Sequence, residues 1–227
     1  MRSYESSLQS AGLDVTNFSS TSFVKICGLT TPDDIAVSVR AGADALGLIL
    51  ASSPRQISVE AAQTLAALAK DHIPIWAVFR DQADEWILNA IDEIEPDAVQ
   101  LHGKLSDVLL NGARARATQV VKALAIGSDD FLTFDESKVD AVLIDGHQPG
   151  SGIVHSWDAL FERPFAVPVI AAGGLNPDNV AIEIVRSRAW GVDTASGVES
   201  APGVKDHTLV MHFVENARRA FEEREGR

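Results

Sequence analysis

Phe23-Val24-Lys25-Ile26-Cys27-Gly28-Leu29 decides the reading of this 227-residue chain. β-Branched and apolar residues run up to a glycine, and Pro32 with the paired Asp33-Asp34 opens a helix shortly after. The stretch predicts a buried strand, a turn and a helix, and the pattern then repeats. Asp44 to Leu50 reads as the second strand, and Ser58 caps an alanine-rich helix with Glu60 in its first turn. Further strands are expected at Ile73 to Phe79, Asp97 to Leu101, Gln119 to Ile126, Ala141 to Asp145, Pro168 to Ala172 and Trp190 to Thr194. Between them lie helical spacing over Asp84 to Ile94, a helix capped by Ser106, and weak helical pieces at Ser128 to Ser137 and Trp157 to Phe161. Asn176-Pro177-Asp178 opens another helix, and Asp206 caps the last.

Eight strand-helix units of roughly 25 residues with short connections imply a parallel sheet with helical crossovers. The strands are continuous apolar runs, as burial on both faces requires. The expected fold is therefore α/β, a single (β/α)8 TIM barrel over residues 23–227. An open doubly wound sheet is the alternative, but no G-x-G-x-x-G follows the first strand. Residues 1–22 are rich in serine, lack the apolar core of a signal peptide and read as an N-terminal extension.

The chain is 46% hydrophobic and 22% charged, with a formal net charge of −13. That is material for a large core, and it argues against disorder. No basic cluster is present to neutralise nucleic-acid phosphates, so a nucleic-acid partner is not expected. No apolar run approaches the roughly 18 residues needed to span a membrane. Cys27 is the one cysteine, which excludes an internal disulfide and fits a reducing compartment. The expectation is a cytoplasmic protein, monomeric by default.

In a barrel of this kind the reacting groups come from the C-terminal ends of the strands and the loops beyond. Those positions hold Cys27, Arg55, Gln100, His102, Asp145, Gly173-Gly174 and Asp193 to Gly197. Alone, a cysteine is most often inert packing, an aspartate before glycine most often caps its own turn, and paired glycines usually make an ordinary turn. Together they have a chemical sense. Glycines after the seventh strand, followed by Ser196-Gly197 after the eighth, are what a phosphate cup of backbone amides needs. Cys27 and Asp145 then read as a base and an acid on opposite sides of one mouth. The thiol must act as thiolate, and the carboxyl must hold its proton near neutral pH, which burial favours.

Several blocks carry a family resemblance: Val24 to Thr30, Ser53-Pro54-Arg55, Val99 to Gly103, Leu143-Ile144-Asp145 with Gly150-Ser151-Gly152, Ala172 to Asn176, and Ser196-Gly197-Val198-Glu199 followed by Pro202 to Asp206. In this order they resemble phosphoribosylanthranilate isomerase of tryptophan biosynthesis, over nearly all the chain beyond the N-terminal extension. The resemblance implies an Amadori rearrangement of a phosphorylated small-molecule substrate, without metal or organic cofactor. It implies Asp145 as the acid that opens the furanose and Cys27 as the base at C2′. Arg55 would hold the anthranilate, with Gln100, His102 and Asp193 as further substrate-binding residues. The amides of Gly173, Gly174, Ser196 and Gly197 would hold the phosphate. The chain departs from the family pattern at Arg80-Asp81, where valine or asparagine is more usual, at His155-Ser156-Trp157, and at Ala195, where serine is common.

Other phosphosugar barrels fit less well. The histidine-pathway isomerase carries an aspartate where this chain has Cys27. A ribulose-phosphate epimerase needs metal-ligating histidines at strand ends, and only His102 is so placed. A non-catalytic phosphometabolite-binding barrel would have no need of both Cys27 and Asp145.

Overall fold

The computed structural model describes residues 22–116, 119–146 and 157–226. Along the chain these form β1 (Phe23–Cys27), α1 (Pro32–Ala41), β2 (Ala45–Ile49), α2 (Val59–Ala69), β3 (Ile75–Arg80), α3 (Asp84–Ile94), β4 (Ala98–His102) and α4 (Asp107–Arg114). The second half continues with β5 (Gln119–Ala125), α5 (Asp129–Thr133), β6 (Ala141–Asp145), α6 (Asp158–Glu162), β7 (Val169–Ala172), α7 (Val180–Ser187) and β8 (Gly191–Thr194). A small hairpin, β9 (Glu199–Ala201) and β10 (Val204–Lys205), precedes the long α8 (His207–Glu225). β1 to β8 pair in parallel and in chain order, and β8 returns to β1 with Phe23 opposite Gly191, closing the (β/α)8 barrel.

Period-two alternation divides each strand between two cores. Val24, Ile26, Leu46, Leu48, Val99 and Val192 point outward beneath the helices. Phe23, Ala45, Trp76, Ala98, Val121, Ala141 and Ile170 point inward and fill the N-terminal half of the lumen. Phe23 stacks on Trp76 and Trp190 with ring centroids 5.3 and 4.8 Å away, which plugs the barrel from below. The same alternation carries Lys25 and Cys27 inward above Phe23.

The helix signals are realised where side chains supply the missing acceptors. Thr31 and Asp34 form a capping box on α1, and Gly42 ends that helix at φ 85°. Ser58, Ser106 and Asp206 accept from the first-turn amides of α2, α4 and α8. An aspartate also precedes β2, β4 and β6. Asp44, Asp97 and Asp140 accept the amides of Val24, Ile75 and Val120 at 2.7 to 2.8 Å, tying each to the start of the neighbouring strand.

Three local expectations are corrected. The third strand starts at Ile75 and runs to Arg80, because Pro74 offers no amide to the ladder at its start. Asn176 does not cap a helix directly: its side chain accepts from the amides of Asp178 and Asn179, and α7 begins only at Val180. The weak piece at Ser128 to Ser137 resolves into α5 and a 3₁₀ turn over Glu136–Lys138. The β9–β10 hairpin was not foreseen, although Pro202-Gly203 is a turn signal and Gly203 has φ 81°. No helix among the described residues is long and apolar enough to cross a membrane.

Candidate active site

At the C-terminal ends of the strands lies a cavity of about 460 Å³, a size suited to a small ligand. Its lining brings together Cys27, Arg55, Gln100, His102, Asp145, Gly173, Gly174, Asp193 and Ser196. Gly197 is the one sequence-predicted residue that does not line it. A Cβ there would stand 1.8 Å from the Leu175 carbonyl oxygen, so this glycine lets the loop after β8 lie directly on the loop after β7. A wider depression of about 900 Å³ at the other end of the barrel is lined by Asp44, Lys70, Asp71, Asp92, Glu93 and neighbours, and contains none of the strand-end residues.

Cys27 is buried at the end of β1. A Cβ on Gly47 of β2 would stand 2.5 Å from its Sγ and 3.0 Å from Lys25 Nζ, so the glycine opens the space that both groups share. Lys25 is fully buried and donates from Nζ to Asp193 Oδ1 at 2.8 Å. Burial alone would push the lysine's pKa down, but the Asp193 carboxylate and the neighbouring thiol outweigh it, and the ammonium is held above its ordinary value. For Cys27 burial dominates and raises the pKa, opposed by the Lys25 ammonium and, more weakly, by Lys205. The resting group is therefore a thiol with a fixed cation beside it.

Asp145 ends β6, half-buried in the cavity wall. Gly146 follows, and the Trp157 ring lies against it, 3.0 Å from where a Cβ would be. The Trp157 indole N–H donates to Glu183 of α7, which fastens the start of α6 to the outer helix layer. The expected loop residues Gly150, Ser151, Gly152, His155 and Ser156 lie outside the described residues.

The turn after β7 holds Gly173 and Gly174 at φ 92° and 69°, a consecutive left-handed pair that side chains rarely tolerate. Asn179 donates to the Gly174 carbonyl at 3.0 Å, and Thr194 of β8 donates to the Leu175 carbonyl at 2.6 Å. Ser196 opens a 3₁₀ turn beside them. The two loops thus form one joined rim of backbone.

Arg55 reaches the cavity across Gly28, whose missing side chain leaves room for the arginine stem; a Cβ there would stand 2.7 Å from Cδ. Its Nε and Nη2 donate to the two carboxylate oxygens of Glu199 at 2.6 and 2.7 Å. Lys205 donates to the same carboxylate at 2.9 Å and to the Ala195 carbonyl at 2.7 Å. Burial opposes ionisation of Glu199, but the two cations prevail and hold its pKa below the usual value. The hairpin after β8 is thereby tied to the loop after β2.

His102 ends β4 beside Arg80, and its pKa is pushed down to about 3 by burial and by the charges of Arg80, Lys122 and Lys25. It is a neutral imidazole. Its Nε2 lies 2.9 Å from Gln100 Nε2. Sequence reasoning assigned no role to Lys25, Gly47, Glu199, Lys205 or Arg80. For Lys25 the signal was available: a lysine within an apolar strand, two residues before Cys27, must share its face. Glu199 and Lys205 belong to the unforeseen hairpin. Among the described residues no group of three or more His, Cys, Asp or Glu side chains is placed to hold a metal ion.

Residues 24–216 match the family described as N-(5'phosphoribosyl)anthranilate (PRA) isomerase. The N-(5'-phosphoribosyl)anthranilate isomerase of Haloarcula marismortui is 39% identical over 209 residues, spanning 88% of this chain and 97% of that one. The crystal structure of TrpF from Jonesia denitrificans superposes with a TM-score of 0.78 at 36% identity, covering 87% of this chain and 97% of that one. A crystal structure of phosphoribosyl anthranilate isomerase in complex with reduced 1-(o-carboxyphenylamino)-1-deoxyribulose 5-phosphate has a TM-score of 0.71 at 30% identity, covering 87% and 98%. The strand-end residues, the closed barrel and these similarities agree: the chain belongs to the N-(5'-phosphoribosyl)anthranilate isomerase family.

Proposed function

We propose that this chain converts N-(5-phosphoribosyl)anthranilate to 1-(2-carboxyphenylamino)-1-deoxyribulose 5-phosphate, the Amadori step of tryptophan biosynthesis. One observation carries the reading: a buried thiol with a lysine beside it and a half-buried carboxyl share a cavity rimmed by a paired-glycine loop. The relative solved with the reduced product analogue supports the same ligand chemistry in a barrel of this sequence family.

In the proposed course, Asp145 gives its proton to the furanose ring oxygen. The lone pair on the anthranilate nitrogen forms a C=N bond at C1′ as the C1′–O bond breaks, leaving an open-chain protonated Schiff base. The Cys27 thiolate then removes the proton from C2′. The electron pair left behind forms the C1′=C2′ bond and neutralises the nitrogen, giving an enolamine. Loss of the enol proton and protonation at C1′ complete the ketone. Every proton moves between side chains, solvent and substrate, so the scheme calls for no metal or cofactor.

The other residues hold this geometry. The Lys25 ammonium offsets the thiolate charge, and Asp193 holds that ammonium. Arg55 keeps Nη1 for the anthranilate carboxylate, since Glu199 takes Nε and Nη2. The amides of Gly173, Gly174 and Ser196 bind the phosphate, and Gly197 lets their two loops meet. Gln100 and His102 face the sugar. We read the enzyme as a cytoplasmic monomer.

The test is the loss of anthranilate-type fluorescence when freshly made substrate meets the protein. Cys27→Ser and Asp145→Asn are each expected to lower turnover by about 100-fold or more. A folded parent protein without turnover overturns the proposal.

A further inference from the structure

Arg80 ends β3 and lies on the cavity wall beside His102. Its Nη2 stands 3.4 Å from His102 Nδ1. On the other side of the imidazole, Nε2 stands 2.9 Å from the side-chain nitrogen of Gln100. Gln100 is 3% exposed, and its Oε1 is one of two buried side-chain atoms among the described residues without a hydrogen-bond partner.

A neutral imidazole has one N–H and one acceptor, whereas a guanidinium only donates. If the proton sits on Nδ1, Nε2 can accept from Gln100, but two donors then face each other across the contact with Arg80. If it sits on Nε2, Nδ1 accepts from Arg80. Nε2–H then needs an acceptor, which Gln100 supplies once its amide is turned by half a revolution. Amide oxygen and nitrogen are assigned by the network they satisfy, and only the second arrangement satisfies both contacts and gives the orphaned oxygen a donor. It also changes what Gln100 offers: the NH2 now stands where the unpartnered oxygen stood.

We propose that Arg80 is a positioning residue: by donating to His102 Nδ1 it fixes the Nε2–H tautomer, which turns the Gln100 amide so that its NH2 donates to an acceptor oxygen of the substrate. The burial of His102 and the cations around it keep the ring neutral, so the tautomer and not the charge is what Arg80 sets. Only the identity of the substrate rests on the isomerase reading; the tautomer belongs to the resting protein.

Long-range proton–nitrogen NMR of histidine-labelled protein reads the tautomer directly, with the His102 signals assigned by their absence in His102→Asn. The parent is expected to show a pyridine-like Nδ1 and a pyrrole-like Nε2 at this residue. In Arg80→Met the two forms become mixed, and KM for phosphoribosylanthranilate rises about 3- to 10-fold, the loss of one neutral hydrogen bond, with kcat held within about twofold. Arg80→Lys keeps a donor and returns both readouts toward the parent. A parent with the proton on Nδ1 overturns the inference, as does Arg80→Met with an unchanged KM. A raised KM with an unchanged tautomer also overturns it, since Arg80 would then act on the substrate itself. Absence of turnover in the parent would sink the isomerase reading alone, because the tautomer still decides the relay.

Discussion

Aspartates mark both ends of this barrel, and they do opposite work. At the N-terminal end, Asp44, Asp97 and Asp140 each accept a main-chain amide of the neighbouring strand, so their partners are fixed by the fold. At the C-terminal end, Asp193 holds the buried ammonium of Lys25 and Asp145 lines the cavity. Below, a carboxylate completes the backbone. Above, it holds side chains whose charge and proton content can change. The residue type is the same, so the end of the strand decides between stability and chemistry, as expected for this fold.

The sharpest way to break the upper end is Lys25→Met. It leaves the Asp193 carboxylate buried without its cation, which costs on the order of 3–5 kcal/mol, and it removes the charge that favours the Cys27 thiolate. Urea unfolding should show the loss of stability, and the folded fraction should lose turnover as well. Equal stability in parent and variant would mean that the pair holds nothing together. Gly47→Ala is a finer cut. Its methyl group would enter the space of Sγ and Nζ, an overpacking cost of about 1–3 kcal/mol, and turnover should fall by far more than the change in folded population accounts for.

Asp44→Ala tests the lower end. It removes the acceptor of the Val24 amide and the partner of Arg218, and about 1–3 kcal/mol of stability should go while kcat and KM stay within about twofold of the parent. A kinetic effect as large as that of Gly47→Ala would erase the distinction between the two ends. The smallest expected effect is the shape of the pH profile. Catalysis needs both the Cys27 thiolate and the Asp145 proton, and burial raises the Cys27 pKa, so kcat/KM should climb on the acid side by about tenfold per unit until Asp145 begins to lose its proton. His102, with its pKa near 3, should add no break near 6.5, where a free histidine titrates. A profile with no acid limb, in a steady-state titration, would speak against a buried thiol as the base.

Much of this division is legible in the chain. The repeated strand-helix pattern placed all eight barrel strands, and the Ser58, Ser106 and Asp206 caps stand where a short polar side chain precedes a run of helical spacing. Glycines and a lone thiol at strand ends marked the cavity. What was not legible depends on meetings between distant segments. Nothing near Glu199 in sequence says that its carboxylate meets Arg55, 144 residues away. Asn176-Pro177-Asp178 has the composition of a helix start, but the asparagine side chain caps its own turn and delays α7 to Val180. Gly197 carries the sequence signal of a phosphate loop, yet the Leu175 carbonyl lies against its α-carbon. Local pattern shows what a residue can do; the neighbouring strand decides which use is made of it.

The Lys25–Asp193 pair joins residues 168 positions apart, across the seam where β8 meets β1. Bringing such distant segments together is the entropically slow part of reaching a closed topology. The carboxylate that holds the cation beside the thiol therefore arrives only when the ring closes. A nascent or half-refolded chain can have most of its helices and strands in place and still lack the ion pair beside its base. Recovery of activity after denaturation thus clocks ring closure rather than the appearance of secondary structure.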